Sequence, residues 1–241
     1  MRIGAYQFRP RLIPTLVTLL LLPALIGLGF WQLDRAQQKQ AILDSRAAGD
    51  RLPPIDLNAK WPPYDRVKHR RATVRGHYDT AHQFLVDNQT RNGRPGYQVL
   101  TPLALDDGRG AILVDRGWVP APLDRDRLPA VPAPETPRTV HGLIDDGPSV
   151  GIRLGQPATD RRWPRRIAYM DYDYLAGVLP YPLRADYLVE LSPDEPAGYV
   201  REWTVMEFGP KRHLGYAVQW FGLATALLLI FLFVNIKRVG S

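Results

Sequence analysis

The sequence predicts a membrane protein in which two transmembrane helices flank a mainly β extracytoplasmic domain, folded as a small barrel or a curled antiparallel sheet. Two long apolar runs near the ends of the chain predict the helices: Leu12 to Leu33 contains no ionisable side chain, and Leu214 to Ile236 contains none except Tyr216. A helix needs about 20 apolar residues to cross the hydrocarbon core of a bilayer. Short segments of alternating polarity between the runs predict the β domain.

These observations divide the chain into five segments. We expect tails at 1–11 and 237–241, transmembrane helices at 12–33 and 213–236, and one domain at 34–212. A domain of this length can bury a core of its own. The first run is too long, and its end too poor a cleavage site, for a cleavable signal peptide, so we expect it to remain as a signal anchor.

The charge distribution predicts the orientation. The formal net charge of +7 could suggest a nucleic-acid partner, but Arg2, Arg9, Arg11, Lys237 and Arg238 all lie in the two tails, which leaves 26 basic residues against 24 acidic ones. Basic tails beside apolar spans are typical of cytoplasmic ends. We therefore expect a multi-pass protein of a bacterial inner membrane, with both termini cytoplasmic, the domain periplasmic, the bilayer as a partner and no nucleic acid. The chain has no cysteine, which excludes disulfides and thiolate metal sites.

Beyond the first span, a helix is expected to continue to about Arg46, followed by a proline-rich extended linker at 51–63. Alternation and turn signals then predict six strands. They are Arg70 to Tyr78, Gln83 to Asn88, Gln98 to Leu105, Ala111 to Asp115, Arg138 to Ile144 and Ala185 to Leu191. In the first of them Ala72, Val74, Gly76 and Tyr78 share one side. Tyr169 to Val178 is the one segment of this region predicted to be helical.

The segment from Asp115 to Pro120 places an arginine and a tryptophan on either side of a glycine, at the end of the strongest predicted strand. Two interpretations are open. In one, this is a structural corner in which Arg116 pairs with a carboxylate and Trp118 fills an end of the barrel. In the other, Arg116, Gly117 and Trp118 contact a ligand or a partner.

Aromatic and polar residues mark the outer ends of both spans. Trp31 and Gln32 suit the aromatic belt at a membrane interface. His213 begins the second span, and helical spacing places it on one face with Ala217 and Trp220. Such a histidine is either a hydrogen-bonded interfacial side chain or an imidazole able to ligate haem iron.

Small residues predict how the two spans pack. Gly215, Gly222 and Ala226 share another face of the second span, and we expect this face to pack closely against Gly27 and Gly29 of the first.

Four motifs, in this order along the chain, support a resemblance to a known family. They are Leu-Gly-Phe-Trp-Gln-Leu-Asp-Arg at 28–35, Gly-Tyr-Gln-Val-Leu-Thr-Pro-Leu at 96–103, Val-Asp-Arg-Gly-Trp-Val-Pro at 114–120 and His-Leu-Gly-Tyr-Ala-Val-Gln-Trp-Phe at 213–221. Together they make the chain resemble the SURF1 family of cytochrome c oxidase assembly factors, which has the same two-span layout.

The resemblance implies a chaperone-like factor without enzymatic activity. Such a factor would assist the maturation of oxidase subunit I at haem a delivery or insertion, with subunit I and a haem a synthase as partners. Within the family, haem binding is associated with a histidine at the start of the second span. The resemblance places that histidine at His213 in this chain. The expected cofactor is therefore haem a, with His213 as the iron ligand and Trp220 and Tyr216 beside it.

Two other classes of protein remain as alternatives. The first is a two-span sensor or scaffold whose extracytoplasmic domain binds a ligand or partner, although only eleven residues precede the first span and five follow the second, too few for an output domain. The second is a membrane-tethered hydrolase. It would need paired catalytic groups, and Asp171 and Asp173 lie two apart on a predicted helix, where they do not face each other. His77 and His82 are separated by a turn and are expected to be solvated or loop histidines rather than a metal pair.

Overall fold

The computed structural model describes residues 2–3, 6–148, 156–158, 162–203 and 209–238. The chain forms two compact units, one made of Met1–Asp44 with Thr204–Ser241 and the other of Ser45–Trp203. The helices and strands follow in this order: β1 (Arg2–Ile3), β2 (Tyr6–Phe8), α1 (Leu12–Arg51), β3 (Ile55–Asp56), α2 (Tyr64–Val67), β4 (Arg71–Tyr78), β5 (Phe84–Val86), β6 (Gly96–Leu105), β7 (Ala111–Pro120), β8 (Arg138–Asp145), β9 (Arg165–Ile167), α3 (Tyr172–Val178), β10 (Leu183–Leu191), α4 (Pro210–Asn235) and β11 (Ile236–Arg238).

Both apolar runs form helices that are long and apolar enough to cross a membrane. The most apolar stretches of α1 and α4 have a mean hydropathy of 2.2, and only 11% of each is buried. A core helix of a soluble protein would bury this surface, whereas lipid tails can cover it. The helices thus support the predicted membrane protein, and α1 continues past the predicted Arg46 to Arg51.

A buried stripe runs along each of these helices, with alternating spacings of three and four residues that are typical of paired helices. On α1 the less exposed residues are Thr18, Leu22, Leu25, Gly29, Gln32 and Ala36. On α4 they are His213, Ala217, Trp220, Phe221, Ala224, Leu227, Phe231 and Asn235. Beside the α1 stripe, the exposed residue Phe30 contacts Phe221 of α4 edge to face, with ring centroids 5.4 Å apart.

The prediction that Gly215 and Gly222 of α4 pack against the glycines of α1 was wrong. A Cβ atom built on Gly222, Gly215 or Gly27 would meet nothing within 4 Å. Only Gly29 is closely approached, and a Cβ there would lie 2.5 Å from the ring of Phe221. The bulky ring of Phe221 fills the space over Gly29, so an aromatic residue on glycine, rather than glycine on glycine, forms this contact.

The far end of the helix pair holds a small sheet that the sequence did not reveal. Strands β1, β2 and β11 pair antiparallel, with Phe8 opposite Ile236. Asn235 is 1% exposed, and its Oδ1 accepts a hydrogen bond from the Arg11 backbone N–H at 2.7 Å. The segments predicted as tails are therefore partly ordered by pairing with each other.

The unit from Ser45 to Trp203 contains a closed five-stranded barrel, which confirms the predicted fold class. Its strands pair in the order β4, β8, β10, β7 and β6, and β6 returns to β4 to close the ring. All neighbours are antiparallel except β10 and β7, which are parallel. The inward side chains include Val74, Leu103, Ile112, Ile144 and Val189, all 1% exposed or less.

A second core lies on the outside of the barrel, where β5, β9 and α3 cover strands β6, β7 and β10. Phe84, Leu100, Leu113, Leu175 and Leu188 form its centre. This outer cover explains why β7 is buried on both faces. It also explains why that strand had the strongest apolar pattern in the sequence, since alternation is lost when both faces are covered.

The six predicted strands are all present, with shifted ends. The largest shift is in β7, which continues through Asp115 to Pro120 instead of stopping at the arginine and tryptophan motif. The short strands β3 and β9 were not predicted, and β3 lies within the expected linker. The predicted helix begins at Tyr172, because the Asp171 side chain caps it by accepting a hydrogen bond from the Tyr174 N–H at 3.0 Å.

Candidate functional site

The first turn of α4 and the middle of α1 are joined by a hydrogen bond between two motifs that are far apart in sequence. Nδ1 of His213 lies 2.7 Å from Oε1 of Gln32. A carbonyl oxygen can only accept a hydrogen bond, so in this arrangement Nδ1 of His213 carries the proton and donates it. In the neutral ring Nε2 then has a free lone pair. Within the described residues, no protein group forms a hydrogen bond with that second nitrogen.

The surroundings of His213 suit a large flat ligand with an apolar face and acidic groups. His213 and Trp220 are both half-buried in the stripe of α4, and Trp220 lies two turns, or about 10 Å, further along the axis. Lys211 and Arg212 are exposed in the same first turn. Tyr216 is 38% exposed and lies outside the stripe, so the structure brings Trp220 but not Tyr216 onto the side of His213 that packs.

Trp31 and Gln32, predicted together as interfacial residues, have different surroundings. Trp31 is 49% exposed, with the guanidinium of Arg35 5.7 Å from its ring centroid. Gln32 is only 9% exposed and turns into the helix pair toward His213. No local sequence pattern indicates this contact, because the two residues are 181 positions apart. The only hint was a polar glutamine at a position with helical spacing from Gly29.

Arg116 is the largest fully buried side chain of the described residues, at 1% exposure. Its guanidinium lies between the rings of Tyr78 and Tyr199, 5.2 and 4.9 Å from their centroids. It donates to the carbonyl oxygens of Ala197 and Pro132 at 2.6 Å each. The predicted pairing with a carboxylate was wrong, because carbonyl oxygens of two loops satisfy the guanidinium instead.

Gly117 and Trp118 complete this corner. Gly117 has a φ of +106°, and a Cβ there would lie 2.7 Å from the carbonyl oxygen of Val200, so glycine is required. Trp118 is half-buried, its ring lies against Gly96, and its Nε1–H donates to the carbonyl of Gln89 at 2.7 Å. Arg116, rather than Trp118, therefore fills the end of the barrel.

A third polar cluster was missed by the sequence analysis. Arg46, near the end of α1, reaches both Asp145 of β8 and Glu190 of β10, at 2.6 and 3.1 Å. The adjacent residue Ser45 contacts Nδ1 of His69 at 3.0 Å. No local pattern in the sequence could have indicated these contacts, since each joins segments at least 24 residues apart.

Burial controls the ionisation of this Arg46 cluster. Loss of solvation raises the pKa of Glu190 to about 7, and the nearby charge of Asp145 adds to this effect while Arg46 opposes it. The pKa of Asp145 is also raised, again first by burial. Burial and the charge of Arg46 lower the pKa of His69 to about 4, so His69 is neutral at pH 7. The guanidinium of Arg46 thus contacts both buried carboxyl groups, but it does not fully offset the cost of burying two negative charges.

The residues weighed for the alternative classes have structural surroundings. Asp171 is occupied as the cap of α3. His82 contacts Asp79 at 2.6 Å and lies edge-on to Trp163. Within the described ranges, no group of three or more histidine, aspartate or glutamate side chains could hold a metal ion.

Comparison with known proteins identifies the family of this chain. Residues 19–225 match the model of the SURF1 family. The chain is 30% identical over 216 residues to a SURF1-like protein of Rickettsia bellii, covering 86% of this chain and 84% of that protein. It is 27% identical to Surfeit locus protein 1 of Takifugu rubripes over 92% of this chain and 97% of that protein, and 29% identical to that of Rattus norvegicus over 86% and 71%. The family model covers the whole barrel and most of both long helices, and the chain belongs to the SURF1 family.

Proposed function

We propose that this protein is an assembly factor for cytochrome c oxidase that assists the maturation of subunit I by delivering or inserting haem a. Membership of the SURF1 family supports the assembly role.

The His213 imidazole is the observation on which the haem part of the proposal rests. When bound, haem supplies an iron that takes an axial nitrogen ligand. The chain offers Nε2 of His213 for this role, since Nδ1 is occupied by Gln32. Trp220 offers an apolar wall on the same stripe, and the cations of Lys211 and Arg212 suit the propionate groups. A single protein ligand would allow the cargo to leave for a partner with stronger ligation.

The basic tails, at the opposite end of the helix pair from His213, support a location and an orientation in the membrane. We place the protein in a bacterial inner membrane with both termini in the cytoplasm and the barrel in the periplasm, as the basic residues of the tails favour. His213 then lies at the periplasmic edge of the bilayer. A haem a synthase on one side and oxidase subunit I on the other are the proposed donor and acceptor, because both handle an apolar cofactor within the same membrane.

The test is the absorption spectrum of the detergent-purified protein from cells that make haem a. We expect a Soret band in the wild type and none in His213→Ala, with the fold and membrane insertion unchanged. His77→Ala is the matched control, because His77 is exposed on β4. In the host, His213→Ala should lower oxidase activity without abolishing it. A Soret band of full intensity in His213→Ala would contradict the ligand assignment.

A further inference from the structure

We infer that Gln32 is a positioning residue that holds His213 in the Nδ1–H tautomer, so that the lone pair of Nε2 faces outward for a ligand. The inference rests on the proposed function for the identity of the ligand, but the tautomer itself can be measured without one. It assigns a role in cofactor handling to the first motif, Leu28 to Arg35, through its glutamine.

The geometry of the pair supports a fixed orientation. The distance of 2.7 Å between His213 Nδ1 and Gln32 Oε1 is at the short end for such a bond. Gln32 is 9% exposed, so water has little access to replace it as the acceptor. A half-buried ring with one nitrogen held in this way has less freedom to rotate about its χ angles.

The chemistry explains why this should matter to a metal ligand. Histidine ligands commonly donate their other ring N–H to a carboxylate or a carbonyl, which fixes the tautomer and raises the basicity of the ligating nitrogen. Loss of such a partner usually costs 10- to 100-fold in metal affinity, by rough analogy with known sites. A neutral amide oxygen is a weaker partner than a carboxylate, which suits a site that must release its cargo.

Alternative assignments of the amide make opposite predictions. If the Gln32 amide were reversed, its NH₂ group would donate to Nδ1, the proton would sit on Nε2 and no lone pair would face outward. A merely structural contact would hold the helices together but leave the affinity for a ligand unchanged. The tautomer and the ligand affinity therefore need to be measured on the same variants.

The first measurement is the ¹⁵N NMR spectrum of full-length protein in detergent, labelled on histidine, with His213 assigned by its loss in His213→Ala. We expect the Nδ1–H pattern in the wild type. Gln32→Leu should shift the ring toward a mixture containing the Nε2–H form, whereas Gln32→Glu, which keeps an oxygen acceptor, should retain the wild-type pattern. Gln219→Leu is the control, because Gln219 is an exposed glutamine of α4.

The second measurement is a titration with haemin, followed by its Soret band. We expect the dissociation constant to rise about 10- to 100-fold in Gln32→Leu, to stay near the wild-type value in Gln219→Leu, and to be no higher than the wild-type value in Gln32→Glu, because a carboxylate is the stronger acceptor. An Nε2–H pattern in the wild type, an unchanged tautomer in Gln32→Leu, or a shifted tautomer with unchanged affinity would each overturn the inference. If His213→Ala binds haemin like the wild type, His213 is not the iron ligand and the haem part of the proposed function fails. That result does not depend on the tautomer measurement.

Discussion

Replacing Glu190 by glutamine should stabilise the protein at alkaline pH and have little effect at acidic pH. Glu190 is 9% exposed, and its pKa is raised by burial from 4.5 to about 7 in spite of Arg46 at 3.1 Å. A raised pKa means that folding favours the protonated form, so its stabilising contribution is complete below about pH 4.5 and is lost as the pH rises through about 7. At about 1.4 kcal/mol per pKa unit, the loss between pH 5 and pH 8 is about 2 to 3 kcal/mol.

Glutamine resembles the protonated acid in shape but does not titrate, so Glu190→Gln should remove most of this pH dependence. The assay is thermal unfolding of the full-length protein in detergent, followed by near-ultraviolet circular dichroism from pH 5 to pH 8. Asp145 shares Arg46 with Glu190, so its titration also changes in the variant, and the comparison measures the combined effect of losing the Glu190 charge. Glu135→Gln is the control, because Glu135 is exposed. A variant whose stability differs from the wild type by the same amount at pH 5 and pH 8 would refute the reasoning.

Three further predictions concern the corner formed by Arg116, Gly117 and Trp118, the packing of the two long helices and the orientation of the protein in the membrane. Arg116→Met should lower the free energy of unfolding by about 1 to 3 kcal/mol, since it removes the donor of the Ala197 carbonyl oxygen and one of two donors of the Pro132 carbonyl oxygen, and an unchanged melt would show that these oxygens find other partners. Gly29→Leu should loosen the helix pair by clashing with Phe221, while Gly222→Leu should not, as measured by cross-linking of cysteines engineered into this cysteine-free chain; equal cross-linking in both would count against the contact. An alkaline phosphatase fusion at Gly147 should be active and one after the last residue inactive, and the reverse pattern would invert the proposed topology.

Local patterns sufficed to predict most of the fold. The apolar runs predicted both long helices because their length and composition leave few other structures. Alternation predicted β4, where Ala72, Val74, Gly76 and Tyr78 are all buried as expected. The end of β7 was missed because Gly117, at a positive φ, lets the strand continue through a residue that normally ends one. Strand β9 was missed because its sequence, Arg-Arg-Ile, is too short to show a period.

The contacts that define the candidate site could be predicted far less well. His213 was singled out by its position, but its partner was not, because a hydrogen bond between Gln32 and His213 depends on the register of two separate helices. The same limit applies to Arg46, whose two carboxylate partners lie on different barrel strands. Sequence patterns report the periodicity of one element, whereas these contacts depend on how two elements meet.

The four family motifs meet in two pairs. Gln98 of the second motif donates to Asp115 of the third at 2.8 Å, on paired strands β6 and β7. Gln32 of the first motif and His213 of the fourth meet between the long helices. The barrel pair is closed, since the side chain of Asp115 also accepts a hydrogen bond from the Gly117 N–H at 2.9 Å. The helix pair is not closed in this way: one nitrogen of His213 is held by the protein, and the other has no partner among the described residues. His213 is half-buried, so this second nitrogen is accessible to a ligand or to water. We therefore propose that ligand binding by these motifs is centred on the start of α4, where one nitrogen of His213 remains open, rather than on the barrel.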